Sequence, residues 1–356
     1  MLALSGYPLG LRFQAFDPSS DAVAGHIAPL LSSEADNEEV LGELAERVDV
    51  VTYEWENVPV TSVRFLEERR QVFPSSRVLE VASDRWKEKS FLRDLGISCP
   101  RFWLVTSQEE LEKATSESSF PCVLKTCRFG YDGKGQMVLR EDRDVVRAWD
   151  ELGGSDLILE AFVPFDRELS IIATRGQDGD IRYYPLVENH HREGILRLSL
   201  APAPHLTDEL QQRGETFARR IMEELEYVGT MALELFQVGG ELLANEIAPR
   251  VHNSGHWTIE GSATSQFENH IRAVARLPLG STQMRTPYAA MVNLIGELPK
   301  LAEVLEVEGA HAHYYGKSVK PNRKVGHITV VAESEIKLQE RVQAVQKLLK
   351  FRETEI

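Results

Sequence analysis

Two glutamates interrupt the most strand-like stretch of this 356-residue chain, Glu234 within TMALELFQV and Glu246 within LLANEIAPR. Alternating apolar residues on either side of Gly239-Gly240 predict a β-hairpin with its turn at the two glycines. A carboxylate among residues that would otherwise fill a sheet core is costly unless a cation or a hydrogen-bond donor compensates it. Mg²⁺ offers that compensation, because it takes hard oxygen ligands from a few carboxylates and from substrate phosphates. Asn245 adds a neutral oxygen donor, and the polar run Arg250-Val251-His252-Asn253-Ser254-Gly255-His256-Trp257 follows at once. Clustered titratable groups of this kind mark functional sites. The alternative is that both glutamates face outward on an ordinary strand. Register separates the two readings: a strict two-residue loop sets Glu234 opposite Asn245, whereas a bulge or an equivalent one-residue offset sets it opposite Glu246. A shared metal requires the offset, which is the expectation here.

The remaining composition describes a multidomain globular protein. Its length exceeds the size at which single cores stop growing, so two or three domains are expected. Apolar content of 42% and charged content of 27% are ordinary. No apolar run is long enough to span a bilayer and the start of the chain has no secretory pattern, so a cytoplasmic protein with no membrane partner is expected. A net charge of −15 argues against a broad nucleic-acid surface. Cys99, Cys122 and Cys127 form no metal or redox spacing, and reduced thiols are expected.

Along the chain, LRFQAFD, VLGELAERV, VDVVTYE and VTSVRFLEER alternate strand-like and helix-like patterns, the signature of a parallel α/β unit. The spacing then predicts a linking helix, with Ser83 as N-cap and Gly96 as its stop. Short strands around glycine-rich turns follow: RFWLV, PCVLKT, QMVLR, DLILEAFV and ELSIIATR. A long amphipathic helix is expected near 207–226, capped by Thr207, with Leu210, Phe217, Ile221 and Leu225 on its apolar face. The strand HITVVAE and a charged amphipathic helix close the chain.

Between Lys125 and Gln136 lie Gly130, Tyr131, Asp132, Gly133, Lys134 and Gly135. A strand enters this loop and another leaves it, so it caps a hairpin and matches neither the P-loop nor the dinucleotide fingerprint. Glycines let backbone N–H groups approach phosphate oxygens, and Lys125 adds a point charge. An ordinary solvated hairpin loop is the alternative.

Arg85 in SDRWKEK, Lys125, GYDGKGQ, Glu160 in LILEAFV, Glu168 in RELSI, His191 in ENHHREGILR, Glu234 and NEIAPRVHNSGHWT together resemble the ATP-grasp family of N5-carboxyaminoimidazole ribonucleotide synthetases (PurK). The resemblance runs from Met1 to about residue 335. It implies a three-domain ATP-grasp fold of α/β and α+β parts: a Rossmann-like preATP-grasp domain over 1–82, a linking helix over 83–99, a lid over 100–170 and a C-terminal domain over 171–356 with the metal and substrate site. It also implies the reaction, in which ATP phosphorylates bicarbonate and the amine of 5-aminoimidazole ribonucleotide takes up the carboxyl group, in purine synthesis.

By the same resemblance, ATP is held by Arg85, Lys125 and the glycine loop from Gly130 to Gln136. The backbone of Glu160, Ala161, Phe162 and Val163 reads adenine and Glu168 binds ribose, with His191 and Asn245 nearby. Glu234 and Glu246 carry Mg²⁺. Asp132, Arg250, His252 and Asn253 are the catalytic candidates, and Tyr131, Asp132, His252, Lys317, Arg323 and Lys324 the substrate-binding ones. A homodimer is implied. Family members begin with a strand and a GGGQLGRM-type loop ahead of LALSGYPLGL, so the N-terminal domain is expected to lack its first strand and a phosphate-binding turn. Two alternatives stay open: another ATP-grasp ligase of purine synthesis, resembling the formate-dependent glycinamide ribonucleotide transformylase, or a non-catalytic nucleotide-binding copy.

Overall fold

The computed structural model describes residues 1–130 and 134–349. Strand and helix alternate in the first unit: β1 (Ala15–Asp17) pairs in parallel with β2 (Leu30–Ser32), and β3 (Val50–Val51) with β4 (Gln71–Val72). The two pairs share no ladder among the described residues. Asn37 starts the Glu38–Arg47 helix by accepting hydrogen bonds from the Glu39 and Val40 amides. Leu41, Val63, Leu66, Val72 and Leu79 bury themselves between these elements as the unit's core.

The linking helix spans Arg85–Asp94, and its cap differs from the expected one. Asp84 accepts from the Trp86 and Lys87 amides, while Ser83 ends the preceding Ser76–Ala82 helix. Two adjacent cap-type residues left the choice open in sequence. Gly96 does end the helix, with a positive φ of 67°.

The lid is a four-stranded antiparallel sheet built from β5 (Phe102–Val105), β6 (Cys122–Thr126), β7 (Gln136–Leu139) and β8 (Leu157–Ala161), in the order β5-β8-β6-β7. Helices Gln108–Ser118 and Asp142–Leu152 pack on it, although the sequence read there as strands and turns only. Leu111 and Ala114 of the first and Val145 and Ala148 of the second meet Val105, Leu124 and Leu139. The overlooked signal was Ser107, which accepts from the Glu110 amide as an N-cap.

The largest element is a nine-stranded sheet with every ladder antiparallel. Its main path runs β14 (Glu241–Ala248), β13 (Gly229–Val238), β9 (Arg167–Arg175), β11 (Val187–Arg192), β12 (Ile195–Ala201), β15 (Tyr288–Ile295), β17 (Lys324–Ala332) and β16 (Ala310–Tyr314), with β10 (Ile181–Tyr183) beside β9. The Asp208–Glu224 helix, capped by Thr207, covers one face, its Leu210, Ala218 and Ile221 against Ile171, Leu233 and Leu235. Each such large apolar side chain contributes about 1.5–3 kcal/mol on burial. Strand alternation then puts Glu168, Ser170, Glu234 and Phe236 on the opposite face.

The hairpin fixes where the two glutamates meet. Gly239 and Gly240 form a two-residue turn with φ of 55° and 89°, the positive values that a tight hairpin of this twist requires. The ladder runs regularly to Leu235 opposite Ala244, then slips by one residue, and Glu234 pairs with Glu246. Asn245 is the extra residue of a β-bulge. The expected offset is therefore present, in the strand and not in the loop.

A Cβ at Gly240 would meet no atom within 4 Å, so its replacement tests the backbone alone. Gly240→Val should lower unfolding free energy by about 1–2 kcal/mol, the cost of left-handed backbone for a branched residue. Gly239→Asn should change it by less than about 0.5 kcal/mol. Urea titration of the two variants checks this, and equal losses would contradict it.

Candidate active site

A cleft of about 750 Å³ opens between the lid sheet and the polar face of the large sheet, with Trp55, Glu56 and Asn57 of the N-terminal unit at its edge. The lid supplies Val123, Lys125, Gln136, Val138 and the strand end Glu160-Ala161-Phe162-Val163. Across from it lie Glu168, His191, Leu196, Glu234, Phe236, Asn245 and Glu246, and then Arg250, His252, Asn253 and Lys324. Residues separated by as much as 269 positions in sequence (Trp55 and Lys324) thus line one space.

Cations and carboxylates interlock on the lid side. Lys125 Nζ lies 3.0 Å from Glu160 Oε2, and Lys89 Nζ lies 3.7 Å from the same oxygen. Burial alone would raise the Glu160 carboxyl, but Lys125 and then Lys89 outweigh it and hold it at about 2. Arg85 donates from Nη1 to Thr126 O at 2.8 Å and from Nη2 to Gly130 O at 3.2 Å, tying the glycine turn to the linking helix. Arg85 and Gly130 both line the cleft.

Two residues of that helix, absent from the sequence reading, reach the hairpin that carries Glu234 and Glu246. Lys89 is 1% exposed and donates from Nζ to Asn245 O at 2.6 Å. Glu88 is 2% exposed and accepts from the Ile247 amide at 2.6 Å. Burial, followed by the charge of Glu246, pushes the Glu88 carboxyl up to about 8. The signal that could have found Lys89 is its spacing from Arg85 and from the fully buried Leu92, which share its side of the helix.

On the large sheet, His191 Nδ1 and Glu168 Oε2 are 2.6 Å apart. Burial lowers the His191 pKa, but the Glu168 hydrogen bond and the Glu234 charge prevail and leave it above its ordinary range. Glu234 and Glu246 face one another with the ladder register described above. Burial and the facing Glu246 push the Glu234 carboxyl up to about 7. Arg250 Nε donates to Glu56 Oε2 at 2.5 Å, a partner the sequence did not indicate. Asn253 exchanges side-chain amide hydrogen bonds with the buried Asn293, one of them at 2.9 Å. His252 is held neutral, well below its ordinary range, by burial and then by Arg250 and Lys324.

Some expected site residues lie elsewhere. Lys317 and Arg323 do not line the cleft. Arg323 turns back on its own loop, donating to Ser318 Oγ at 2.6 Å, while Lys317 Nζ sits 5.7 Å from the Tyr315 ring. Lys134 and Gly135 belong to the hairpin turn outside the lining. Tyr131, Asp132 and Gly133 lie outside the described residues. Among the described residues no group of three or more His, Cys, Asp and Glu is arranged to hold a metal ion. Two carboxylates are nevertheless the usual protein share of a Mg²⁺ site completed by phosphates.

Family models match three consecutive parts of the chain. The ribonucleotide synthetase preATP-grasp domain covers residues 1–83, the ATP-grasp domain 90–267, and the phosphoribosylaminoimidazole carboxylase C-terminal domain 289–341. The N5-carboxyaminoimidazole ribonucleotide synthase of Pseudomonas aeruginosa is 49% identical across 98% of this chain and 96% of its own. The crystal structure of N5-carboxyaminoimidazole ribonucleotide synthetase from Thermus thermophilus superposes with a TM-score of 0.96 at 53% identity, over 100% of this chain and 97% of that one. The Aspergillus clavatus N5-carboxyaminoimidazole synthase, solved in complex with ADP and 5-aminoimidazole ribonucleotide, gives 0.89 at 28% identity, over 98% and 95% of the two chains. From the three domain matches and this likeness along its whole length, the chain belongs to the N5-carboxyaminoimidazole ribonucleotide synthase family of ATP-grasp ligases.

Proposed function

We infer that this enzyme carboxylates 5-aminoimidazole ribonucleotide at the expense of ATP, forming N5-carboxyaminoimidazole ribonucleotide in purine biosynthesis. The observation that carries the reading is the pair of facing carboxylates, Glu234 and Glu246, set across the cleft from the Lys125-Glu160 pair of the lid. Bicarbonate is the carboxyl source in this reading, and carboxyphosphate the intermediate that must be kept from water.

The chain's own groups divide the work. Val123 and Val138 on the lid and Leu196 and Phe236 opposite give apolar walls for the adenine ring. The strand end Glu160 to Val163 offers backbone groups to its edge, and the Glu168-His191 pair offers polar atoms to the ribose. Lys125 is aimed by Glu160 and brings positive charge to the phosphates, while Arg85 keeps the glycine turn against the same space. Glu234 and Glu246 are the Mg²⁺ ligands in this reading, and the ion would neutralise charge on the transferring phosphoryl group. Arg250, His252 and Asn253 surround the position for bicarbonate, with Lys324 beside them for the ribonucleotide. Lys317 and Arg323 serve as a basic approach to that end, near Asp17 and Glu54. Tyr131 and Asp132 complete the loop's contribution. The family assembly suggests a homodimer, and the pathway a cytoplasmic setting; no described helix is long and apolar enough to cross a membrane.

Release of ADP should require bicarbonate and 5-aminoimidazole ribonucleotide together, measured with a coupled assay; ADP release driven by formate and glycinamide ribonucleotide would overturn the assignment. Lys125→Met should reduce kcat/KM for ATP by about 100-fold, equivalent to the ~1.5–3 kcal/mol of a charge-assisted contact. Unchanged kinetics would move the phosphate site elsewhere.

A third expectation concerns pH. The folded, metal-free protein keeps a proton on Glu234 up to about pH 7, whereas the unfolded chain loses it near 4.5. The folded-state pKa is raised, so the associated stability is fully present below pH 4.5 and is lost as the pH rises through about 7. Glu234→Gln should therefore unfold at a higher temperature than the parent in EDTA at alkaline pH, with the difference shrinking as the pH is lowered toward 4.5. A difference that does not vary with pH would contradict this.

A further inference from the structure

Behind His252 a line of buried polar side chains crosses the large sheet. Ser254 and Ser170 are 0% exposed, Asn189 4% and Ser199 0%, and none belongs to the cleft lining. Ser170 on β9 sits directly opposite Glu234 on β13, and Asn189 on β11 directly opposite Ser199 on β12. The line therefore spans three adjacent strands on the face that carries the metal carboxylates.

The direction of its hydrogen bonds is fixed at one end. A backbone N–H can only donate, and the Ser254 amide points at His252 Nδ1 from 3.4 Å. Nδ1 is therefore an acceptor, and the proton of the neutral ring lies on Nε2. The Ser254 hydroxyl, 2.8 Å from the same nitrogen, must then donate to it as well. Its single proton being used, Ser254 Oγ accepts from Ser170 Oγ at 2.7 Å. Ser170 accepts in turn from Asn189 Nδ2 at 2.9 Å, and Asn189 Oδ1 accepts from Ser199 Oγ at 2.8 Å. Each link then joins one donor to one acceptor, and reversing the Ser254–Ser170 link would leave the Ser170 hydroxyl proton without an acceptor.

We infer that Ser199, Asn189, Ser170 and Ser254 are positioning residues that hold His252 in its Nε2–H tautomer, so that His252 meets the reacting anion as a hydrogen-bond donor and not as a general base. The Nε2 atom lies 3.4 Å from Glu234 Oε1, a long contact, and His252 lines the cleft. Its N–H is thus placed to turn to an oxygen of bicarbonate or carboxyphosphate beside the metal carboxylates. Arg250 and Lys324 reinforce an anionic partner there. The role in the reaction rests on reading the cleft as the carboxylation site; the tautomer does not.

The test is ¹⁵N NMR of the whole protein labelled at histidine, with the His252 signals assigned by their loss in His252→Gln. The expected spectrum shows Nδ1 of His252 at an unprotonated, pyridine-type shift and Nε2 at a protonated, pyrrole-type shift. A protonated Nδ1 overturns the inference without any variant having to fold. Ser170→Ala, which touches neither substrate nor metal ligand, frees the Ser254 hydroxyl to accept. It should move Nδ1 toward the protonated value and lower kcat by roughly tenfold, the low end for loss of an orienting partner, with KM for ATP unchanged. A fall in activity with the His252 shifts unmoved would show a merely structural serine and overturn the positioning role. Full ADP formation by His252→Gln would be consistent with a donor role, because glutamine retains an N–H near that position, whereas loss equal to that of His252→Ala would contradict it.

Discussion

Lys89 is a cation with 1% exposure whose ammonium group donates to the carbonyl of Asn245, the one residue by which the hairpin ladder slips. Without that slip Glu234 would face Asn245 and the two carboxylates would not be partners. Glu88, the neighbour of Lys89, grips the next part of the same strand at the Ile247 amide. A buried ammonium group is expensive to leave unpaired, so the linking helix and the hairpin are bound to one relative position. The active-site face of the large sheet inherits its geometry from this contact.

The same helix reaches the lid. Lys89 also neighbours Glu160, which aims Lys125, and Arg85 at the helix start holds both Thr126 and Gly130. Asp84 pairs with Arg128 at 3.0 Å just before it. One ten-residue helix thereby joins the turn at Gly130 to the hairpin that carries Glu234 and Glu246. Transfer of a phosphoryl group depends on positioning charges around it more than on covalent help from the protein, so a rigid link between the two halves of the cleft has a direct chemical use.

Sequence made the chemistry-bearing residues legible where a charge broke an apolar pattern. Glu234 and Glu246 were found in that way, and the bulge followed from asking how two carboxylates could share a cation; Lys125 came from the glycine-rich turn it enters, and Glu160 only from the family resemblance. Residues whose environment comes from another part of the chain were not legible. Glu56 meets Arg250 across 194 positions, Lys89 meets Asn245 across 156, and Asn293 meets Asn253 across 40. Local pattern carries no trace of such pairings. The lid helices were missed because the strand-like runs on either side were read across them, although Val145, Ala148, Trp149 and Leu152 of the second helix do follow a helical period onto the lid core. Lys317 and Arg323 carried the expected charges, yet the loop's own hydrogen bond to Ser318 turns Arg323 away from the cleft.

If the linking helix sets the carboxylate pair, its buried lysine must govern metal affinity from outside the coordination sphere. Mn²⁺ binding in the presence of ADP, followed by electron paramagnetic resonance, measures this directly in the parent enzyme and in Lys89→Met. The account predicts at least about tenfold weaker Mn²⁺ binding in a variant that remains folded by circular dichroism. Equal affinity in the two proteins would contradict it.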